Sequence, residues 1–167
     1  MVAPRQIPPL LADEYTLIRL LATSVAPTDI ENQKKAISSW QKQGFSVISL
    51  NSSAEIEQLE KDSNLDFIPV KRDASQFFGK PLVYLDDLLE NLRDRRSSVS
   101  GIINADIYLK ASPEFLQTIC EQACNSLVFG SRIEVDSIEQ DWGNAYPMGF
   151  DFFLFDQKLL NALPTSP

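Results

Sequence analysis

Apolar and polar positions along this chain switch repeatedly between a period of two and a period near 3.6. Short apolar runs read as strands at Thr16-Leu17-Ile18-Arg19-Leu20-Leu21-Ala22, Phe45-Ser46-Val47-Ile48-Ser49-Leu50 and Phe67-Ile68-Pro69-Val70. Pro69 puts the third of these near a sheet edge or at a strand end. A fourth run, Gly101-Ile102-Ile103, drives into Asn104-Ala105-Asp106, and its unbroken apolar character suits a central strand covered on both faces. Leu127 to Ile133 predicts a fifth strand, and Asp151 to Phe155 a sixth strand or a strand–helix junction.

Helical spacing fills the gaps between these runs. Ile30, Ile37 and Trp40 share one face of a helix that Thr28 or Asp29 caps and Gly44 stops. Ser52 with Glu55 three residues on is a capping box for a helix through Ile56 and Leu59. Pro81 predicts the first residue of a helix bearing Leu82, Leu85, Leu88, Leu89 and Leu92. Its acids, Asp86, Asp87 and Glu90, come early, and Arg93, Arg95 and Arg96 come late, as the helix dipole favours. Ser112 and Pro113 open another, with Phe115, Leu116, Ile119, Cys120 and Ala123 turned inward.

The alternating order predicts a three-layer α/β/α domain with a mostly parallel central sheet, Rossmann-like, spanning 1–167 behind a proline-rich arm at 1–14. No repeat, linker or low-complexity segment interrupts it. Composition agrees: 44% of residues are apolar and 23% charged, enough to build a core. The net charge of −8 argues against nucleic acid as a partner and against anionic membrane surfaces in general. The hydrophobic runs are far short of a membrane span, and no signal-peptide pattern opens the chain. Cys120 and Cys124 have no second pair and read as small apolar residues, which fits a reducing cytoplasm.

Histidine is absent, which removes His-based acid–base chemistry and His metal ligands. A metal here has to be held by oxygen, which favours Mg²⁺ or Mn²⁺. In an open α/β sheet, ligands bind beyond the carboxyl ends of the strands, so Asn104 and Asp106 stand where a cation and a phosphate would be held. The competing reading makes them ordinary turn residues. A receiver-like module is disfavoured by the lack of an acidic pair after the first strand, and a dinucleotide fold by the lack of a Gly-rich first turn.

Four segments carry a resemblance to the nucleotide-diphospho-sugar transferase superfamily, the A-type glycosyltransferases, over nearly the whole chain. Thr23 to Pro27 resembles the end of the family's first strand. Ser49-Leu50-Asn51-Ser52-Ser53 lies where many members carry an acidic turn. Asn104-Ala105-Asp106 takes the place of the Asp-any-Asp motif, and Gly149-Phe150-Asp151-Phe152-Phe153 resembles the downstream segment near the acceptor.

The resemblance implies a nucleotide-sugar donor, an acceptor of unknown identity and a divalent ion, Mn²⁺ or Mg²⁺, bridging the diphosphate. It makes Asp106 the metal residue, Asn104 and Asn51 donor contacts, and Asp151 the base. Arg72 and Lys80, on either side of Phe77-Phe78-Gly79, become phosphate contacts or else solvated loop charges. Trp142 and Tyr146 stack on a sugar or pack in loops. The departures are Asn104 in place of the first aspartate, the missing histidine, and an end at Pro164-Thr165-Ser166-Pro167 before much of the acceptor region. They leave open a shortened, fragmentary or degenerate member that binds without turnover.

Overall fold

A computed structural model describes residues 18–59 and 65–164. The proline-rich arm at 1–14 and the Thr16-Leu17 start of the first predicted strand lie outside the described residues. Six strands form one sheet in the order β3-β2-β1-β4-β8-β5: β1 (Arg19–Thr23), β2 (Phe45–Asn51), β3 (Asp66–Pro69), β4 (Val99–Ile103), β5 (Val128–Gly130) and β8 (Phe152–Asp156). Strands β3, β2, β1 and β4 run parallel, and β8 runs antiparallel between β4 and β5. A separate two-stranded ribbon pairs β6 (Ile133–Glu134) with β7 (Asn144–Ala145).

Strand alternation sends side chains into two apolar clusters, one on each face. Leu21, Phe45, Val47, Val99, Ile103 and Leu154 face α1 (Ile30–Lys42), α2 (Ser53–Leu59) and α5 (Pro113–Gln122). Leu20, Ala22, Ile48, Leu50 and Phe155 face α4 (Leu85–Arg93) and α6 (Gln157–Ala162). The fold is therefore α/β, with a mostly parallel sheet flanked by helices, as the alternating sequence pattern predicts. No helix among the described residues is long and apolar enough to cross a membrane.

Several local signals act as expected. Ser52 N–H donates to Glu55 Oε2 at 3.1 Å and Glu55 N–H to Ser52 Oγ at 3.3 Å, closing the capping box. Ser112 Oγ accepts from Phe115 N–H with Pro113 in the first turn. Gly44 takes a positive φ of 83° after α1. Asp29 occupies the cap position of α1 but in the left-handed region and without a side-chain cap bond. Its carboxylate instead accepts from Asn32 Nδ2.

Other expectations are corrected. Pro81 does not open α4, which starts at Leu85 with Tyr84 as its cap. Leu82 N–H bonds to Lys80 O at 2.8 Å, closing a tight turn around Pro81, and a short helix α3 (Ser75–Phe78) precedes it. Leu82 and Leu85 are exposed, so the apolar face of α4 is carried by the buried Leu88 and Leu92, with Leu89 packed beside them. The predicted fifth strand splits at Ser131-Arg132 into β5 and β6. Phe115 is exposed rather than inward, and of the two cysteines only Cys120 joins the core.

Gly101 lets β4 sit where it does. It pairs with Leu21 of β1 on one side and Leu154 of β8 on the other. A Cβ there would lie 2.4 Å from Phe153 O, 2.7 Å from Leu154 Cδ2 and 2.8 Å from Leu21 Cδ2. The two leucines meet over the bare backbone, so this position tolerates no side chain without moving a strand. Gly101→Ala should lower stability by about 2–3 kcal/mol through overpacking, read as a lower urea midpoint at unchanged slope. A loss below about 0.5 kcal/mol, the range of ordinary surface substitutions, would show that β8 is free to shift.

Candidate functional site

Beyond the carboxyl end of β4 the chain makes a turn, closed by Ile107 N–H donating to Asn104 O at 3.1 Å. Asn104 and Asp106 are exposed on it while Ala105 between them is buried. The segment that follows is fastened to α1 by three side chains. Trp40 Nε1 donates to Ile107 O at 2.7 Å, Leu109 N–H donates to Ser39 Oγ at 2.8 Å, and Gln43 Nε2 donates to Ala111 O at 3.1 Å. Trp40 is fully buried, so the indole anchors this wall from within the core.

The opposite wall is the β6–β7 ribbon and its loop. Between the two walls lies a cleft of about 940 Å³, lined by the start of α1, by Asp106 to Lys110, and by Gly130 to Trp142. Lys110 forms an ion pair with Asp141 that ties one wall to the other. That pair raises the lysine above its usual pKa and lowers the aspartate below its own. Both side chains are largely exposed, so the tie contributes little to stability. Trp142 stands 84% exposed on the rim.

Next to the cleft lies a network that spans three elements. Asp151 is 8% exposed at the foot of β8. Its Oδ1 accepts from Asn104 Nδ2 at 2.7 Å and its Oδ2 from Arg132 at 3.1 Å. The backbones join as well: Asn104 N–H donates to Asp151 O, and Asp151 N–H to Gly130 O, both at 3.1 Å. Arg132 also pairs with Glu134 at 3.1 Å and lies 3.8 Å over the Tyr146 ring. The Glu134 carboxylate foremost, and Asp151 against the opposing effect of burial, hold the guanidinium above its ordinary pKa.

The structure thus brings Asn104 and Asp151 together and sets Asp106 in the cleft beside them. Asn51 is elsewhere and fully buried. Its amide donates to Val25 O at 2.7 Å and to Glu55 at 3.2 Å, and its oxygen accepts from Ser49 Oγ. It does not face the cleft with Asp106; it holds the loop after β1, helped by Gln33 bonding to Ala26 and Thr28. Arg72 and Lys80 are exposed beyond β3, at the same end of the sheet but three strands from β4, about 14 Å at the usual strand spacing. Tyr146 packs against Arg132 rather than standing free for a sugar, and Asp86 and Asp87 sit in the first turn of α4 as expected.

Arg132 was not singled out from the sequence, although a signal existed. It is the only Lys or Arg between Lys110 and Lys158, a stretch that holds eight acids. A lone cation in such a run is a natural partner for a buried carboxylate. Among the described residues no three His, Cys, Asp or Glu side chains gather around Asp106. The cleft lining is also acidic, with Asp29, Asp106, Glu134, Asp136, Glu139 and Asp141 against Lys35, Lys110 and Arg132.

No family model matches the chain, and no curated protein matches it.

Removing Arg132 strips the buried Asp151 of its only charged partner among the described residues. Arg132→Ala should therefore lower the urea midpoint at unchanged slope, because it leaves a buried acceptor under-satisfied. Urea denaturation checks it. An unchanged midpoint would mark Arg132 as a solvated charge.

Proposed function

We propose that the cleft beside Asp106 binds a nucleotide-diphospho-sugar, in the manner of an A-type glycosyltransferase donor site. The observation that carries this reading is the exposed Asn104–Asp106 turn at the carboxyl end of the central strand β4, opening on a cleft of about 940 Å³. That is where ligands of open α/β sheets enter, and the volume falls within the range of small-molecule sites, roughly 300–1,000 Å³.

The electrostatics set the form of the ligand. An acidic lining repels a bare diphosphate, so the nucleotide enters as its Mn²⁺ or Mg²⁺ complex, the metal being part of the ligand and not resident in the protein. Asp106 then offers the carboxylate nearest the turn, while Asp151 fixes the amide plane of Asn104 so that its oxygen stays free to meet a hydroxyl. Trp142 on the rim provides an apolar ring for a base or a sugar.

Glycosyl transfer further requires a base for the acceptor hydroxyl. Asp151 is the candidate from the sequence, but both its oxygens hold partners and little of it reaches solvent. Those contacts favour a second reading for the same cleft: a binding domain without turnover, in which Asp151 is a positioning residue.

Thermal-shift measurements with UDP, GDP and their sugars, with and without Mn²⁺ or Mg²⁺, test the binding reading. One of these ligands at a hundred times its dissociation constant should stabilise the protein by about 2.7 kcal/mol, only with metal present, and Asp106→Ala should abolish the shift. No shift with any nucleotide in either metal would contradict the proposal. Release of the nucleoside diphosphate from a sugar nucleotide by the wild type, lost in Asp151→Asn, separates the transferase from the binding domain.

A further inference from the structure

The connection between β3 and α4 is a loop tied at its base and open at its tip. Ala74, buried in the body of the protein, donates its N–H to Leu82 O at 2.9 Å. Between these two residues α3 raises Phe77 and Phe78, each 69% exposed. Gly79 follows with a φ of 65°, and a Cβ built on it meets nothing within 4 Å. Two adjacent aromatic rings therefore project from a closed loop into open space, with Leu82 and Leu85 exposed behind them.

The charges around the tip differ from those of the rest of the chain. Lys80 follows the two rings within the closed loop, Lys71 and Arg72 stand at its base, and none of the three forms an ion pair among the described residues. Arg72 lies over Tyr84 at 4.9 Å, which leaves its charge at the surface. Asp73 is the one carboxylate between Lys71 and Leu82, and it is spent on Ser75 N–H at 2.8 Å. Within the loop three cations stand against this single carboxylate, and Asp86 and Asp87 follow only in the first turn of α4.

The shape decides between kinds of partner. An aromatic ring offers about 150–250 Å² of surface, so a two-ring tip falls well short of the roughly 800 Å² per partner that a stable protein interface buries. A bilayer imposes no such requirement: apolar side chains sink into the headgroup–acyl boundary while nearby cations meet phosphates. We propose that loop 71–85 is a membrane-docking element, with Phe77 and Phe78 inserting into an anionic bilayer and Lys71, Arg72 and Lys80 binding its headgroups. The acidic remainder of the chain restricts contact to this loop. Because β3 and β4 run in the same direction, docking also turns the end of the sheet that holds the Asp106 cleft toward the lipid. The docking itself does not depend on what that cleft binds.

Flotation of the full chain with phosphatidylcholine vesicles and with mixed phosphatidylcholine–phosphatidylserine vesicles tests the proposal. The wild type should float with the mixed vesicles, much less with the neutral ones, and be released by high salt. The double variant Phe77→Ala/Phe78→Ala should partition at least about tenfold more weakly, with an unchanged melting temperature because both rings are exposed. Lys71→Gln/Lys80→Gln should lose the preference for the mixed vesicles. Absence of wild-type flotation, equal flotation with both vesicle types, or unchanged binding of the phenylalanine variant would overturn it. So would light scattering that finds a wild-type dimer and a monomeric Phe77→Ala/Phe78→Ala variant, since the tip would then be a protein interface.

Discussion

The insertion of antiparallel β8 between β4 and β5 is the constraint on which the candidate site depends. A strand can enter there only if β4 leaves room, and Gly101 leaves it by letting Leu21 and Leu154 meet over its backbone. Once β8 is seated, its first residues arrive at the carboxyl end of β4. The Asp151 side chain then meets Asn104 directly, and Arg132 reaches it from the connection between β5 and β6. An apolar packing constraint in the middle of the sheet thus fixes a polar network at its end. The cleft wall gains a second anchor from Trp40, whose buried indole holds the strand-end segment against α1.

Much of the sheet was legible because its strands are short apolar runs bounded by turns and capping residues. The capping box at Ser52–Glu55, the Ser112–Pro113 helix start and the edge position of β3 all follow from local chemistry. Pro81 misled because proline suits a tight turn as well as a first helical turn, and here it sits in the turn closed by Leu82 and Lys80. The antiparallel sense of β8 was not legible: the apolar run Phe152 to Phe155 reads the same in either direction, and its direction follows from a long-range choice of neighbours. At the site, the place of Asp106 was legible, whereas the roles of Asn51 and Asp151 turned on partners distant in sequence. Val25 occupies the first, and Asn104 and Arg132 the second.

Charge distribution links the two surfaces at this end of the sheet. The cleft lining is mainly acidic, while the loop beyond β3 exposes two phenylalanines beside Lys80. The carboxyl ends of β3 and β4 lie at the same end of the sheet, with β2 and β1 between them. A molecule bound between Asp106 and Trp142 and a surface touched by Phe77 and Phe78 would be approached from the same side.

Amide hydrogen exchange in the presence of Mn²⁺ and UDP tests the location of the ligand most directly, because it reads both walls of the cleft at once. Occupancy should slow exchange across residues 104–110 and 131–142 and leave the loop at 71–85 unchanged. Slowing confined to the loop after β3, or no slowing in either cleft wall, would contradict a nucleotide site at Asp106.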